Sequence, residues 1–283
     1  MMRAESILFL ITLALYFLVT VLYFLYVAIK KPVLSKLAFR VQLAAIAVHA
    51  AAIVLRGILM GRLPMANQYE FATAFAWALC LVCLLFIRKF RFPVLGAFAS
   101  PVALLLALYA GLQKLNELKI IAAGGADSIR NLMPALRSSW LGIHVSTVII
   151  AYGAFGVSFV LSIMFLLRGR MKEGGFWDLH IPKKEKLDVI SYRSVSLGMM
   201  FLTVTINIGA IWAENAWGSY WSWDPKETWA LVTWMIYLVY LHLRIRKGWN
   251  GKTAAIVGVI GFLCVLFTYI GVNTLLPGLH SYK

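Results

Sequence analysis

Apolar side chains run along this chain for close to twenty residues at a time, separated by short polar connections. A helix rises about 1.5 Å per residue and alone satisfies its own backbone in lipid, so about 20 apolar residues cross roughly 30 Å of hydrocarbon. Eight stretches meet that length, at 6–29, 41–59, 69–87, 92–112, 140–167, 195–212, 225–243 and 254–276. The pattern predicts an all-α, polytopic membrane protein with about eight transmembrane helices. No period of 20–50 residues recurs, and no Gly/Ser or Pro linker divides the chain. A single integral membrane domain over 1–283 is therefore expected. The two hydrophilic pieces, 113–139 and 168–194, are too short to fold alone, which confines any chemistry to the helices and their connections.

Composition agrees with that picture. Hydrophobic residues make up 62% and charged residues 13% of the 283, with a mean hydropathy of +0.83, outside the soluble range. The net charge of +16 reads as loop topology before it reads as nucleic-acid binding. Connections one, three, five and seven carry 18 Lys and Arg; the opposite side carries 8, with Arg56 left inside a span. That excess predicts a cytoplasmic location for the odd connections and an outward location for both termini and for connections two, four and six. The first span is too long for a signal-peptide core, lacks a small-residue cleavage site and runs into Lys30 and Lys31, so it is expected to stay. Three Cys form no disulfide framework, and Cys80 and Cys83, a C-x-x-C inside the third span followed by Leu84, read as buried packing residues. Nucleotide-binding and hydrolase motifs are absent from the sequence.

The unusual residues gather around the third outward connection. Six of the ten Trp, at positions 212, 217, 221, 223, 229 and 234, fall within 23 residues. An interfacial belt would spread over all span ends; this uneven placement offers instead a hydrophobic ledge for a flat aromatic ligand. Asp224, Pro225 and Glu227 have the spacing of a capping box at a helix start, and a rigid start also fixes the ledge beside it. His144, near the outward end of the fifth span, and His280, just beyond the eighth, share the outward face in this topology. They read either as hydrogen-bonded interfacial residues or as the pair of axial nitrogens that an iron porphyrin needs over an aromatic shelf. His242 lies 17 residues after Pro225, about 26 Å along a helix and toward the cytoplasmic end. His49, within the second span, reads as a packing donor to a carbonyl, and His180 as a solvated loop residue. Arg56 and Arg62 are within outward reach of a ligand's carboxylates.

The run WGSYWSWDPKETWALVTW, from Trp217 to Trp234, resembles the tryptophan-rich signature of haem-handling membrane proteins of cytochrome c maturation. With Pro-Lys-Glu-Thr after Asp224 and Tyr-Leu-His ending at His242, it is most similar to the CcsA/ResC branch. Pro64, Asn67, Tyr69 and Glu70, Tyr192 and Arg193, the Gly271-Val272-Asn273 triplet, and the terminal Gly-Leu-His-Ser-Tyr from Gly278 extend the match over nearly the whole chain.

The resemblance implies a haem export and ligation subunit of a cytochrome c synthase, in the plasma (cytoplasmic) or thylakoid membrane, active on the outer or lumenal side. It implies haem b as substrate, held at an external site at about 212–229 by His144 and His280 on iron, with Trp217, Trp221, Trp223 and Asp224 around the ring. It also implies that His242 is an internal haem ligand whose mate comes from a CcsB/ResB-type membrane partner, with which any synthase activity is exercised. Apocytochrome c bearing C-x-x-C-H and thiol-reducing proteins are the other implied partners, and nucleic acid is not one. A competing class is a multi-helix solute transporter without haem, its path lined by intramembrane His; that class predicts broken polar helices and pseudo-symmetry, which the sequence does not show.

Overall fold

The computed structural model describes residues 2–125, 136, 138–171, 175 and 181–278. Its elements are helical, and eight helices are long and apolar enough to cross a membrane. They are α1 (Met2–Ile29), α2 (Pro32–Met60), α3 (Gln68–Phe90), α4 (Val94–Ala122), α5 (Ser139–Arg168), α6 (Lys184–Trp217), α7 (Pro225–Lys247) and α8 (Gly251–Leu266). The eighth continues through a π-helical turn, Phe267–Gly271, into a last turn, α9 (Val272–Leu275). The expected spans lie inside these helices except at two ends: α4 begins at Val94, two residues later than expected, and the last helix ends at Leu275, one residue earlier. α2, α4 and α6 run well beyond the expected spans, because residues such as Lys36, Lys119 and Lys186 extend a helix into the polar interface without weakening it.

The helices cluster into two compact units, residues 1–138 and 139–283. In the first, α1 packs on α2 and α4, and α3 on α4 and α2. Its interior is laddered with polar groups. Gln42, His49 and Arg56 recur every seventh residue on the buried face of α2, about 10 Å apart along the axis. Gln42 accepts from Tyr23 at 2.7 Å and donates to the Cys80 carbonyl at 2.9 Å. His49 Nδ1 meets the Tyr16 hydroxyl at 2.9 Å, so its partner is a phenol and not the expected carbonyl. Cys80 and Cys83 are buried free thiols, as their place in the span implied.

At the end of this unit that holds the 61–67 connection, three buried acids gather with buried Arg56 and Lys114 and half-buried Arg62. Arg56 donates to Glu70 at 3.0 Å and, two-pronged, to Glu117 at 2.7 and 2.9 Å. Arg62 grips the other face of Glu70 at 2.7 Å. Lys114 bonds Glu5 at 2.8 Å and lies 3.5 Å from Glu117, and Tyr69 donates to Glu5 at 2.5 Å. Each charge meets an opposite one, the condition for ions inside an apolar layer. Both guanidinium groups are thus held by carboxylates of their own unit.

In the second unit, α5 and α6 share the largest face, and α8 packs on α5 and α7. Its centre is an aromatic slab. Phe155 of α5 and Tyr237 of α7 stack at 3.8 Å and 3°. A Cβ on Gly198 would come within 2.6 Å of Phe155, and one on Gly261 within 2.5 Å of Tyr237. Glycine on α6 and α8 therefore lets both backbones close on the slab. At the far end of α7 from the Trp-rich loop, Arg244 makes a two-pronged pair with Asp188, which also accepts from the Gly251 amide at 3.1 Å.

Removing Arg56 leaves two buried carboxylates underneutralised, whereas Arg62 is more exposed and leaves Glu70 still paired. We expect Arg56→Met to lower unfolding stability by about 3 kcal/mol and Arg62→Met by about 1 kcal/mol or less, read from unfolding transitions in detergent.

Candidate functional site

The site is assembled in the second unit from the first turns of α5, the end of α6, the loop 218–224 and the start of α7. His144 stands five residues into α5, half-buried, against α6. Its Nδ1 lies 2.9 Å from the Thr205 carbonyl. A carbonyl only accepts, so Nδ1 carries the proton and the lone pair resides on Nε2. The ring leans on buried Trp212 at a centroid distance of 5.9 Å and 27°. It lies directly on the α6 backbone at Gly209, where a Cβ would fall 2.7 Å from Cε1 and 2.8 Å from Nδ1. A carbonyl, an indole and a glycine together fix one tautomer and one plane, the kind of support that orients a metal-ligating imidazole.

Trp212 meets Trp217 edge to face at 4.8 Å, extending the aromatic surface to the end of α6, where Gly218 closes the helix in the left-handed region. The loop then turns on the capping box expected from its sequence: Asp224 caps α7, Pro225 is its first residue, and Glu227 reaches back. The Glu227 carboxylate accepts from the Ser222 amide at 2.9 Å and hydroxyl at 3.2 Å, and from the Asp224 amide at 3.3 Å. Trp223 is held in a left-handed conformation, φ 58°, which a bulky residue adopts only when its surroundings impose it. Here the imposition comes from those Glu227 bonds and from Thr228 Oγ1, which donates to the Trp223 carbonyl at 3.3 Å. The result is an indole 68% exposed, standing edge to face with Trp221 at 5.7 Å. Trp221 Nε1 is a buried donor with no hydrogen-bond partner among the described residues, a group that an incoming acceptor would satisfy.

The structure therefore brings together His144, Trp212 and Trp217 as one aromatic cluster, and Trp221, Trp223 and Asp224 as one loop. Asp224 is buried and engaged in the cap, accepting from the Lys226 amide at 2.9 Å. His242 belongs elsewhere: it is exposed near the other end of α7, on a flank shared with Met235, Leu238 and Val239. His280, like His180, lies outside the described residues; the chain before His280 is described to Gly278, which sits against Asp224. Sequence reasoning missed Thr205 and Gly209. The signal for Gly209 was present: it sits in α6 opposite the only His of α5.

These features fit an iron porphyrin better than a bare ion. No group of three or more His, Cys, Asp or Glu able to hold a metal occurs among the described residues, whereas one preset imidazole beside broad indole surface suits axial ligation with stacking.

Comparison with known proteins identifies the family of the chain. The sequence model of the "Cytochrome C assembly protein" family matches residues 65–280. The chain is 42% identical to the cytochrome c biogenesis protein CcsA of Chlamydomonas reinhardtii over 230 residues, covering 78% of this chain and 61% of the relative. It is 40% identical to the CcsA of Synechococcus sp. (strain CC9902) over 256 residues, 82% of each, and 38% identical to that of Prochlorococcus marinus (strain MIT 9301) over 273 residues, 88% and 86%. Among solved structures, the cytochrome c haem lyase CcmF superposes with a TM-score of 0.61 at 15% identity, over 95% of this chain and 49% of CcmF. That likeness is one of fold. The chain spans under two thirds of the length of the algal relative and about half of CcmF.

The cap makes a direct prediction. Asp224→Ala should destabilise the chain by about 1 kcal/mol and Asp224→Ser by only a few tenths, measured as the shift in unfolding midpoint in detergent.

Proposed function

The chain belongs to the cytochrome c assembly protein family, and from that premise we propose that it delivers haem to the outer face of the membrane and holds it for attachment to apocytochrome c. Haem, taken as haem b, is the substrate. His144 and His280 bind its iron from opposite faces, and Trp217, Trp221 and Trp223 form the shelf at 212–229, with Asp224 keeping the loop rigid. The observation that carries this reading is the His144 arrangement: Nδ1 tied to the Thr205 carbonyl and the ring braced by Trp212 and Gly209, which presents Nε2 as the ligating atom.

In this reading the residues contribute positioning. The shelf holds the porphyrin so that each vinyl edge faces the thiols of C-x-x-C-H. A thiol adds across the vinyl double bond: the sulfur–carbon bond forms, the π bond breaks, the proton passes to the neighbouring carbon, and no electron is exchanged. The incoming His of the motif then replaces one imidazole on iron, like for like. Trp221 Nε1 donates to a porphyrin carboxylate or to water at its edge. Arg56 and Arg62 take no part, since the carboxylates of the first unit already hold them.

His242 serves a second, inner haem position. It projects from an exposed flank of α7, where a CcsB/ResB-type partner supplies the opposing ligand. Export then runs from the inner position to the outer one, with the odd connections cytoplasmic and the Trp-rich loop on the outer or lumenal side of a plasma or thylakoid membrane. Synthase activity is exercised with the partner, and thiol-reducing proteins keep the apocytochrome cysteines available.

Purified with haem, the full chain should give a low-spin, six-coordinate visible spectrum. His144→Ala should abolish that spectrum and millimolar imidazole should restore it. Gly209→Ala, which pushes the imidazole off α6, should lower haem retention several-fold without changing protein yield. A chain that carries no haem, or whose spectrum ignores His144→Ala, contradicts the proposal.

A further inference from the structure

Opposite its ionic cluster, the first unit gathers seven exposed cations: Lys30 and Lys31 between α1 and α2, Lys36 and Arg40 in the opening turns of α2, and Arg88, Lys89 and Arg91 where α3 passes into α4. The acids of this unit among the described residues, Glu5, Glu70 and Glu117, are all buried at the other end and paired there. None of the seven therefore meets a described carboxylate of its own unit. Since α1 packs on α2 and α4, and α3 on α4 and α2, both connections close the same end of one four-helix group, in which neighbouring axes lie about 8–10 Å apart.

The backbone at this end favours an anion in two ways. Lys30 (φ 60°) and Arg91 (φ 49°) end α1 and α3 in the left-handed region, which is costly for a side chain and suits glycine; α2, α6 and α7 end in that region with Gly61, Gly218 and Gly248. The helices that start here, α2 and α4, have Lys31 and Pro93 at their N-caps, with no side-chain capping bond and no acid in the first turn. Lys31 thus adds positive charge to the positive end of a helix, where the dipole opposes it. Membrane topology asks only that one end be basic; it does not ask for that charge on two strained caps and at an uncapped helix start. Beside the cations runs apolar surface: Val33 and Leu37, 71% and 44% exposed, share the outer face of α2 with Lys36 and Arg40, and Ile29 is exposed next to Lys30.

We propose that this end of the first unit binds an anionic phospholipid. The phosphodiester meets the basic turns at 30–31 and 88–91 and the first-turn amides of α2 and α4, and an acyl chain runs along Ile29, Val33 and Leu37. Clusters of about four to eight Lys and Arg beside membrane helices recruit anionic lipid by this charge complementarity. The inference stands apart from the haem-site reading, which concerns the second unit.

The test titrates the full chain, in a neutral detergent, with phosphatidylglycerol, phosphatidylcholine or inorganic phosphate and reads the thermal unfolding midpoint. Phosphatidylglycerol should raise the midpoint by several degrees and saturate. Phosphatidylcholine, without net charge, and inorganic phosphate, without acyl chains, should leave it in place. Lys30→Gly combined with Arg91→Gly relieves both strained caps, so without lipid its midpoint should equal or exceed that of the wild type, yet it should lose at least half of the phosphatidylglycerol rise. Lys36→Gln combined with Arg40→Gln should lose a similar share and decides the matter if the glycine pair does not accumulate. Arg246→Gln combined with Lys247→Gln, exposed at the end of α7 in the second unit, should keep the full rise. An equal rise with phosphatidylcholine, which is a general lipid effect, or with inorganic phosphate, which is a free-anion site, overturns the proposal. So does a full rise in both first-unit pairs, or an equal loss in the Arg246 and Lys247 pair, which makes the response one of overall charge.

Discussion

A carbonyl oxygen can only accept a hydrogen bond, and at Thr205 that fact sets the chemistry of the site. The 2.9 Å contact with His144 makes Nδ1 the donor and leaves the basic lone pair on Nε2. The rest of the local structure preserves that one bond. Gly209 supplies the space in which the ring can reach the α6 backbone, and Trp212 closes the ring's other face. Trp212 is itself buried and backed by Trp217. The imidazole is thus held before any ligand arrives, which removes its ordering entropy from the cost of binding.

The two units satisfy polar groups in apolar surroundings by different means. The first closes its charges on one another: Glu5, Glu70 and Glu117 against Arg56, Arg62 and Lys114. An arginine committed to two carboxylates serves architecture and not ligand binding, because withdrawing it would strand both acids. The second unit keeps its charged pair, Arg244 with Asp188, at one end. At the other it builds with indoles, a proline and a capping box. There the strained backbone of Trp223 and the Trp221 nitrogen, unpartnered among the described residues, are departures from a relaxed loop of the kind found where a ligand is bound.

The eight spans were legible because each is an apolar run of the required length, and the capping box because Asp224, Pro225 and Glu227 act through local spacing alone. Local spacing could not reveal which residues meet across helices. Arg56 shows the limit: read singly it is a candidate for a ligand's carboxylates, whereas the carboxylates it binds are Glu70 and Glu117 of the same chain. A buried arginine implies acids at matching depth, and here these are Glu70 and Glu117. His49 likewise pairs with a phenol on α1 and not with a carbonyl. The role of Gly209 depends on the close approach of α5 and α6, which hydropathy does not report. His242 was placed correctly at the opposite end of α7 from the Trp-rich loop, because distance along one helix follows directly from residue count.

The central claim is that Nε2 of His144 is a ligand to haem iron while Nδ1 stays on the Thr205 carbonyl. The most direct measurement is an electron cryomicroscopy structure of the haem-loaded protein. The account requires the iron within coordination distance of His144 Nε2, with the porphyrin beside the Trp-rich loop. Iron bound through Nδ1, or a haem remote from His144, would contradict it.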